Sequence, residues 1–171
     1  MNKRICVVGA GYWGKNHIKT LVKLKSLGGV VDLDPNILKK ISSQYRYVKV
    51  HSILEDALLT NYDGYVIATP AITHFELAKQ IILAKKDVLI EKPMTLSIKD
   101  SEDLVVLSKK MEVNVLVGHV LLFHPAIKKI KKLIANGDIG SLQYIYSNRL
   151  NLGKVRTEEN VFWSFAPHDI A

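Results

Sequence analysis

Two groups of residues in this 171-residue chain have the types and spacing needed for chemistry with a nucleotide cofactor. The first is the glycine series Gly9-Ala10-Gly11-Tyr12-Trp13-Gly14, which directly follows the apolar run Ile5 to Val8. Glycines at this spacing permit a tight turn and a close approach to a pyrophosphate at a helix N-terminus. The second is Glu91-Lys92-Pro93, where an amine follows a later apolar run. Glycines alone predict only a dinucleotide, whereas the added lysine predicts proton transfer beside it.

Several notable residues come directly after predicted strands, or near their ends, and therefore share one edge of the predicted sheet. Open α/β sheets bind ligands in a crevice at the carboxyl ends of their strands. We therefore predict a cofactor site there. Its expected residues are Gly9, Gly11, Tyr12, Trp13, Gly14, Asp32, Thr69, Pro70, His74, Glu91, Lys92 and His119.

Asp32 and Lys92 have the sharpest expected roles. Asp32 lies 32 − 9 = 23 residues after the first glycine, near the position of a carboxylate that accepts hydrogen bonds from the adenosine ribose. A negative charge there favours NAD over NADP, although Asp32 or Asp34 could instead be a helix cap. Beside a cationic nicotinamide the Lys92 ammonium is destabilised, which makes the amine a proton acceptor or relay. The alternative is a lysine that reaches solvent.

The loop containing Thr69, Pro70 and His74 is expected to lie over the nicotinamide ribose. A simple strand-to-helix turn explains the proline equally well. Both interpretations place the loop after the fourth predicted strand.

Alternating strand and helix patterns predict an α/β fold, a Rossmann doubly wound parallel sheet. The expected strands are Ile5 to Val8, Val30 to Leu33, Tyr47 to Val50, Tyr65 to Ala68, Val88 to Ile90 and Val113 to Val117. Helix start signals lie between them. They are Asp34-Pro35, a capping box of Ser52 with Glu55, and Ser97.

The last part of the chain has a different pattern. Residues 124–136 place isoleucines on one helical face and lysines on the other, and Gly137 follows as a stop signal. Alternation from Leu142 predicts a strand. We therefore expect a Rossmann domain over residues 1–120, then a crossover helix and the beginning of a second α/β domain over residues 121–171. That second domain is expected to be truncated, because its strand lacks partners.

Composition restricts the possible classes of protein. The apolar fraction is 48% and the charged fraction 23%, with no apolar run long enough to span a bilayer, so no membrane partner is expected. Cys6 is the only cysteine, which excludes an intrachain disulfide and favours a cytoplasmic location. The net charge of +8 permits a lysine-mediated nucleic-acid binder, but a solvated lysine surface is commoner. The histidines form no metal-ligand pattern, so no metal is expected.

Taken together, these motifs resemble the Gfo/Idh/MocA oxidoreductases over the whole chain. The motifs are the glycine series, Asp32, Ala68-Thr69-Pro70, Glu91-Lys92-Pro93, Gly118-His119 and Pro167-His168-Asp169. The resemblance implies an N-terminal Rossmann domain and a C-terminal domain with the substrate site. It also implies a homo-oligomer for full-length relatives, an expectation that is doubtful for this short chain.

The resemblance assigns the catalytic roles to Lys92 and His168, which would flank the nicotinamide and the substrate carbinol. His168 would be the general base, and the Lys92–Pro93 bond would be cis. Many members have an aspartate where this chain has Ser164, so Lys92 is expected to carry more of the proton transfer.

The segment from Asn148 onward resembles members that act on nucleotide-linked sugars. Arg149, Lys154 and Arg156 would meet a diphosphate or carboxylate there, or else they are solvated loop charges. The predicted substrate-binding residues are Lys92, Arg149, Arg156 and His168. We therefore predict hydride transfer between a secondary alcohol of a sugar or nucleotide-sugar and NAD. The alternatives are a truncated NAD-binding module without activity and, ranked last, the nucleic-acid binder.

Overall fold

A computed structural model describes residues 3–148, 163 and 166–170 of the chain. Its contacts divide the chain into two compact units, Met1–Gly118 and His119–Ala171. The first unit is the parallel α/β sheet, and the second is mainly helical where it is described. Each unit is described below by itself.

The first unit is built on six parallel strands in the order β3-β2-β1-β4-β5-β6. The strands are β1 (Ile5–Val8), β2 (Leu27–Val31), β3 (Lys49–His51), β4 (Gly64–Ile67), β5 (Asp87–Ile90) and β6 (Val115–Val117). Valine and isoleucine dominate the central strands, which suits strands buried on both faces. The strand order reverses between β1 and β4, so the crevice at their carboxyl ends is a topological switch point.

Five helices cover the two faces of this sheet. They are α1 (Gly14–Lys23), α2 (Pro35–Gln44), α3 (Leu54–Leu58), α4 (His74–Leu83) and α5 (Ile98–Met111). One core cluster joins Ile18 of α1 and Ile41 of α2 to Val7, Val30 and Val66 of the sheet. The other cluster includes buried residues of α3, α4 and α5. The predicted doubly wound α/β sheet is confirmed.

Two of the three predicted helix starts agree with the structure. The Asp34 side chain accepts a hydrogen bond of 2.8 Å from Asn36 N, and the Ser97 hydroxyl accepts one of 3.3 Å from Asp100 N. The predicted capping box at Ser52 is wrong. α3 begins at Leu54, so Ile53 occupies the position before the helix and Ser52 lies one residue too early to cap it.

β2 also differs from its prediction, because it begins at Leu27 rather than Val30 and ends at Val31. Its first half therefore includes Gly28 and Gly29, which sequence patterns do not favour in a strand. The buried Tyr62 ring explains them. A Cβ at Gly28 would lie 3.1 Å from that ring, and a Cβ at Gly29 would overlap the Tyr62 hydroxyl.

The second unit has a 3₁₀ turn (Val120–Phe123) and then α6 (Pro125–Ala135). His124 caps α6, since its Nδ1 accepts a hydrogen bond of 3.2 Å from Ala126 N, and Gly137 ends the segment with φ of +76°. Both features agree with the predicted helix. A short helix, α7 (Pro167–Ile170), completes the part of this unit that the structure describes.

The predicted strand beginning at Leu142 is wrong over its described residues, 142–148, which form no strand. Alternating residues specify a strand only where a neighbour supplies backbone hydrogen bonds. No strand lies beside this segment in the described part of the unit. The division between the units falls after Gly118, whereas the predicted domain division falls after residue 120.

Candidate cofactor-binding and active site

The glycine turn joins β1 to α1 and packs closely against itself and against the chain after β2 and β4. Gly9 has φ of +90°, a conformation that only glycine adopts readily, and its N–H donates to Val31 O over 2.8 Å. A Cβ at Gly9 would lie 2.8 Å from Thr69 Cγ2, and a Cβ at Gly14 would overlap the Gly9 carbonyl. These two glycines are therefore required by packing.

Gly11 differs, because a Cβ there would meet no protein atom within 4 Å. The adjacent N-terminus of α1 has no side-chain cap and no acidic residue in its first turn. The helix dipole favours an anion at such a terminus. An open glycine beside an uncapped helix end thus fits the pyrophosphate of a dinucleotide.

Two aromatic side chains lie in the same turn. Tyr12 is 85% exposed and Trp13 is 43% exposed, with their rings edge to face and their centroids 6.2 Å apart. Both are in the predicted cofactor set. Their exposure leaves substantial aromatic surface accessible beside the helix terminus.

Asp32 directly follows β2 and is bonded to the backbone of the glycine turn. Its Oδ2 accepts a hydrogen bond of 2.7 Å from Ala10 N, and its Oδ1 accepts one of 2.9 Å from Asp34 N. A carboxylate offers about four lone-pair sites, so further acceptor capacity remains. The carboxylate is held next to the turn by these two bonds, and its contact with a ribose stays a prediction.

His74 is buried, at 1% exposure, between two loops of the site. Its Nδ1 lies 2.8 Å from Pro93 O, and its Nε2 lies 2.9 Å from Thr69 O. A neutral imidazole donates to one of these carbonyls, whereas an imidazolium donates to both. His74 therefore connects the loop after β4 to the turn after β5, with both ring nitrogens directed at backbone oxygens.

Lys92 lies two residues after β5, in a half-buried turn with a cis Lys92–Pro93 bond, as the family resemblance implies. The preceding Glu91 is 9% exposed. Its Oε1 accepts a hydrogen bond of 2.6 Å from His17 Nε2, and its Oε2 accepts one of 3.3 Å from Lys92 N. Lys92 is thus flanked by two residues, Glu91 and Pro93, that each contact a buried or half-buried histidine.

The pKa of Glu91 is lowered although burial, the largest influence, acts to raise it. The hydrogen bond and charge of His17 act against burial, and so do the Lys92 amide and ammonium. Together these groups outweigh the desolvation of the carboxylate. The side chain is therefore an anion at neutral pH.

His17 is the site residue that the sequence analysis missed. It lies one turn into α1, three residues after Gly14, and its partner Glu91 is 74 positions further along the chain. Sequence periodicity carries no information about such a distant pair. The sequence signal that could have identified His17 is its place on the helix that follows the glycine series, one turn after the last glycine.

Pro70 is exposed, and its carbonyl accepts a hydrogen bond of 2.8 Å from the Thr73 hydroxyl. The other predicted residues lie in the second unit. His119 is half-buried, and its Nδ1 has no hydrogen-bond partner among the atoms that the structure describes. His168 lies in α7, but its side chain is outside the described part, and Arg149, Lys154, Arg156 and Ser164 are also outside it. Their predicted roles stay predictions.

The described residues are 3–148, 163 and 166–170. They contain no group of three or more His, Cys, Asp or Glu side chains placed to hold a metal ion. None of their helices has the length and apolar character required to cross a bilayer.

The strand order, the glycine turn and the uncapped helix define a dinucleotide-binding domain of the Rossmann class. Residues 3–119 match the model of the Gfo/Idh/MocA oxidoreductase family with an NAD-binding Rossmann fold. The chain belongs to this family. The predicted resemblance is confirmed, and NAD is the cofactor of the family.

Several relatives are dehydrogenases of sugar derivatives. The chain is 28% identical to UDP-N-acetylglucosamine 3-dehydrogenase of Acidithiobacillus ferrooxidans, over 99% of this chain and 53% of that protein. It is 27% identical to the WlbA dehydrogenase of Bordetella pertussis, solved with NADH and UDP-GlcNAcA, with a TM-score of 0.76 over 81% of this chain and 41% of that one. GenD2 from gentamicin A biosynthesis, solved with NAD, is 28% identical, with a TM-score of 0.75 over 81% and 40%. The chain thus spans about half the length of the curated relatives it matches.

Proposed function

We propose that the protein is an NAD-dependent oxidoreductase that removes a hydride from a secondary alcohol carbon of a sugar or nucleotide-sugar. One observation carries this proposal. The glycine turn after β1, Asp32 after β2 and Lys92 after β5 lie at the carboxyl ends of strands in one parallel sheet, where α/β folds bind ligands.

The residues of this edge fit the parts of NAD in order. The backbone from Gly9 to Gly14 and the α1 N-terminus would hold the pyrophosphate, and Asp32 would accept hydrogen bonds from the adenosine ribose. Thr69 and Pro70 would border the nicotinamide ribose. When bound, the nicotinamide ring supplies the carbon that accepts the hydride.

Lys92 would accept or relay the hydroxyl proton of the substrate. Its half-buried position and the hydrogen bond from its backbone N–H to Glu91 Oε2 favour a defined place for the amine, and positioning supplies much of the rate in such reactions. The family resemblance adds His168 as general base. Without an aspartate at Ser164 to orient that histidine, we assign the larger share of proton transfer to Lys92.

A nucleotide-sugar is the proposed substrate class. The names of the relatives support it, since they include a UDP-N-acetylglucosamine dehydrogenase and a dehydrogenase solved with UDP-GlcNAcA. The net charge of +8 also suits a diphosphate ligand, with Arg149 and Arg156 as proposed contacts. We retain residues 1–120 as the proposed cofactor domain and 121–171 as the crossover helix and first part of a substrate domain.

Three further predictions accompany this function. A cytoplasmic location rests on the single cysteine. Homo-oligomers are expected of full-length relatives. The absence of a nucleic-acid partner rests on the lack of a recognised binding motif, although α6 carries exposed lysines.

The test is a Lys92→Ala variant of the protein, compared with Lys99→Ala on the exposed first turn of α5. Calorimetry should show NAD binding in the parent and in both variants. With UDP-N-acetylglucosamine or its uronate, reduction of NAD should fall at least about a hundredfold in the Lys92 variant alone, as for loss of a general base. Near-normal turnover in Lys92→Ala would contradict the assignment.

Two other outcomes would favour the alternatives. NAD binding without sugar-dependent reduction in the parent would support a binding module. Salt-dependent retention on DNA without stabilisation by NAD would support the nucleic-acid binder.

A further inference from the structure

We propose that Glu91, held by His17, is a positioning residue that sets the place and the charge state of the Lys92 amine, and that it does not bind the cofactor. The importance of this arrangement for catalysis rests on the proposed function. The arrangement itself is a property of the cofactor-free protein. It assigns a role to His17 and replaces the cofactor contact predicted for Glu91.

The hydrogen bonds of Glu91 are directed at the protein. One carboxylate oxygen is bonded to the His17 ring over 2.6 Å, and the other accepts the Lys92 amide over 3.3 Å. An ionised carboxylate only accepts, so the ring nitrogen of His17 is the donor. With 9% of the residue exposed, little of Glu91 is accessible to a ligand in the crevice.

Gly118 shows that this carboxylate occupies a tightly defined position. A Cβ at Gly118 would lie 3.1 Å from Glu91 Oε2 and 3.2 Å from Glu91 Cδ. These separations are shorter than ordinary van der Waals contacts, so any larger residue would displace the carboxylate. The glycine after β6 therefore leaves the space that the Glu91 side chain fills.

The charge of Glu91 acts on the neighbouring amine. The Lys92 ammonium is among the groups that lower the Glu91 pKa, and this interaction is mutual. A carboxylate near an amine favours the protonated amine. Removing the carboxylate should therefore increase the fraction of Lys92 that is a neutral, nucleophilic amine.

His17 connects this pair to the glycine turn. It lies on α1, the helix whose N-terminus forms the proposed pyrophosphate site, and it reaches across to the end of β5. Losing His17 leaves a buried carboxylate without its strongest hydrogen bond, which is costly unless the side chain moves. The position of Lys92 is thereby linked to α1.

The test measures the amine directly, in protein without cofactor. Competitive acylation with a trace of acetic anhydride, followed by peptide mass spectrometry, gives the reactivity of Lys92 relative to the exposed Lys99. Glu91→Gln keeps the shape and removes the charge, so Lys92 reactivity should rise about fivefold or more. Gly118→Ala displaces the carboxylate and leaves both Glu91 and Lys92 in place. It should raise the reactivity of Lys92 about twofold to threefold.

His17 variants distinguish positioning from general loosening. His17→Ala should raise Lys92 reactivity, and His17→Gln, which retains an N–H donor, should restore part of the parent value. His51→Ala is the matched control, because His51 is also half-buried and donates or accepts one side-chain hydrogen bond, to Tyr62 over 2.9 Å, on β3 at the far edge of the sheet. It should leave Lys92 unchanged. Thermal melts of all variants verify that each remains folded.

An NADH titration by calorimetry on the same variants separates the outcomes. Unchanged Lys92 reactivity in Glu91→Gln, with weaker NADH binding, would make Glu91 a cofactor contact and overturn the proposal. An equal rise in His51→Ala would also overturn it, since the effect would then be general loosening. Absence of NADH binding in the parent would instead contradict the proposed function, and the labelling of the cofactor-free protein would still decide the role of Glu91.

Discussion

Glycines occur in two regions of the α/β unit, the turn after β1 and the pair Gly28-Gly29 in β2, and they have different roles in each. In β2 both glycines make room for the Tyr62 ring, a contact within the protein core. In the turn, Gly9 and Gly14 meet backbone atoms, while the position of Gly11 is open. Substitution by alanine should therefore affect folding, binding or both, depending on what a new Cβ would meet.

Gly14→Ala should have the largest effect. The new Cβ would overlap the Gly9 carbonyl, a backbone atom that cannot move without distorting the turn. We expect a loss of about 2–4 kcal/mol in the free energy of unfolding, together with loss of NAD binding. Urea unfolding and calorimetry measure the two effects. Normal stability would show that the turn adapts more easily than the structure indicates.

Gly29→Ala should cost about 1–3 kcal/mol of stability through overlap with the Tyr62 hydroxyl. Cofactor affinity of the folded protein should not change, because the contacts of this part of the chain with the glycine turn lie beyond Gly29. They are made by Val31 O, which accepts the Gly9 N–H, and by Asp32, which follows β2. The double variant Gly29→Ala with Tyr62→Phe removes the overlapping oxygen and should recover part of the loss. If Gly29→Ala weakened NAD binding as much as Gly14→Ala does, the two regions would not differ in their role.

Gly11→Ala should leave the free energy of unfolding within about 0.5 kcal/mol of the parent, because a Cβ there meets no protein atom. If a pyrophosphate lies against this backbone, NAD affinity should fall about tenfold, or about 1.4 kcal/mol. Calorimetry on the variant, with Gly137→Ala as a distant glycine control for affinity, measures this. Unchanged affinity would place the pyrophosphate elsewhere.

The smallest expected effect is on the pH dependence of the free energy of unfolding. This dependence also differs between the two regions. Burial lowers the pKa of His51, next to Tyr62, below the 6.5 of a free histidine, with a smaller opposing effect of Asp56. The unfolded chain then binds more protons, so stability falls as pH drops below about 6.5. The contribution should be well under about 1 kcal/mol because His51 is partly solvated, and it should be absent in His51→Gln.

Near the site the titration occurs at lower pH. The lowered pKa of Glu91 contributes stability that is present above the unfolded value of 4.5 and is lost as pH falls through the folded value. Urea unfolding between pH 7 and pH 3, on the parent and on Glu91→Gln, should therefore separate the two regions. If stability were lost over one and the same pH range for both residues, the predicted difference between the two regions would be wrong.

The parts of the fold that sequence predicts are those with local signals. The apolar runs of the strands, the glycine series and the caps Asp34 and Ser97 each act within a few residues, and the structure contains all six strands, the glycine turn and both caps. The strand bounds differ by a few residues, as for β3, which was predicted at Tyr47 to Val50 and is found at Lys49–His51. The start of β2 was mispredicted because its two glycines depend on Tyr62, 62 − 29 = 33 positions later. A glycine pair has no side-chain pattern that would indicate burial.

The same reason explains the parts of the site that sequence did not predict. Lys92, Asp32 and the glycine turn follow strands and could be placed at one edge by topology alone. The bond from His17 to Glu91 spans 74 positions, and the position of Gly118 against Glu91 depends on the pairing of β5 with β6. The strand expected at Leu142 fails for the related reason that a period of two specifies pairing only where a partner strand exists.

One of the two tryptophans of the chain lies within the glycine turn itself. Because Trp13 is 43% exposed and adjacent to the α1 N-terminus, its indole emission should respond to a dinucleotide held there. Indole emission overlaps the absorption band of reduced nicotinamide, so excitation of Trp13 should transfer energy to bound NADH. The protein therefore carries an intrinsic optical probe of its proposed cofactor within the turn that would hold the pyrophosphate.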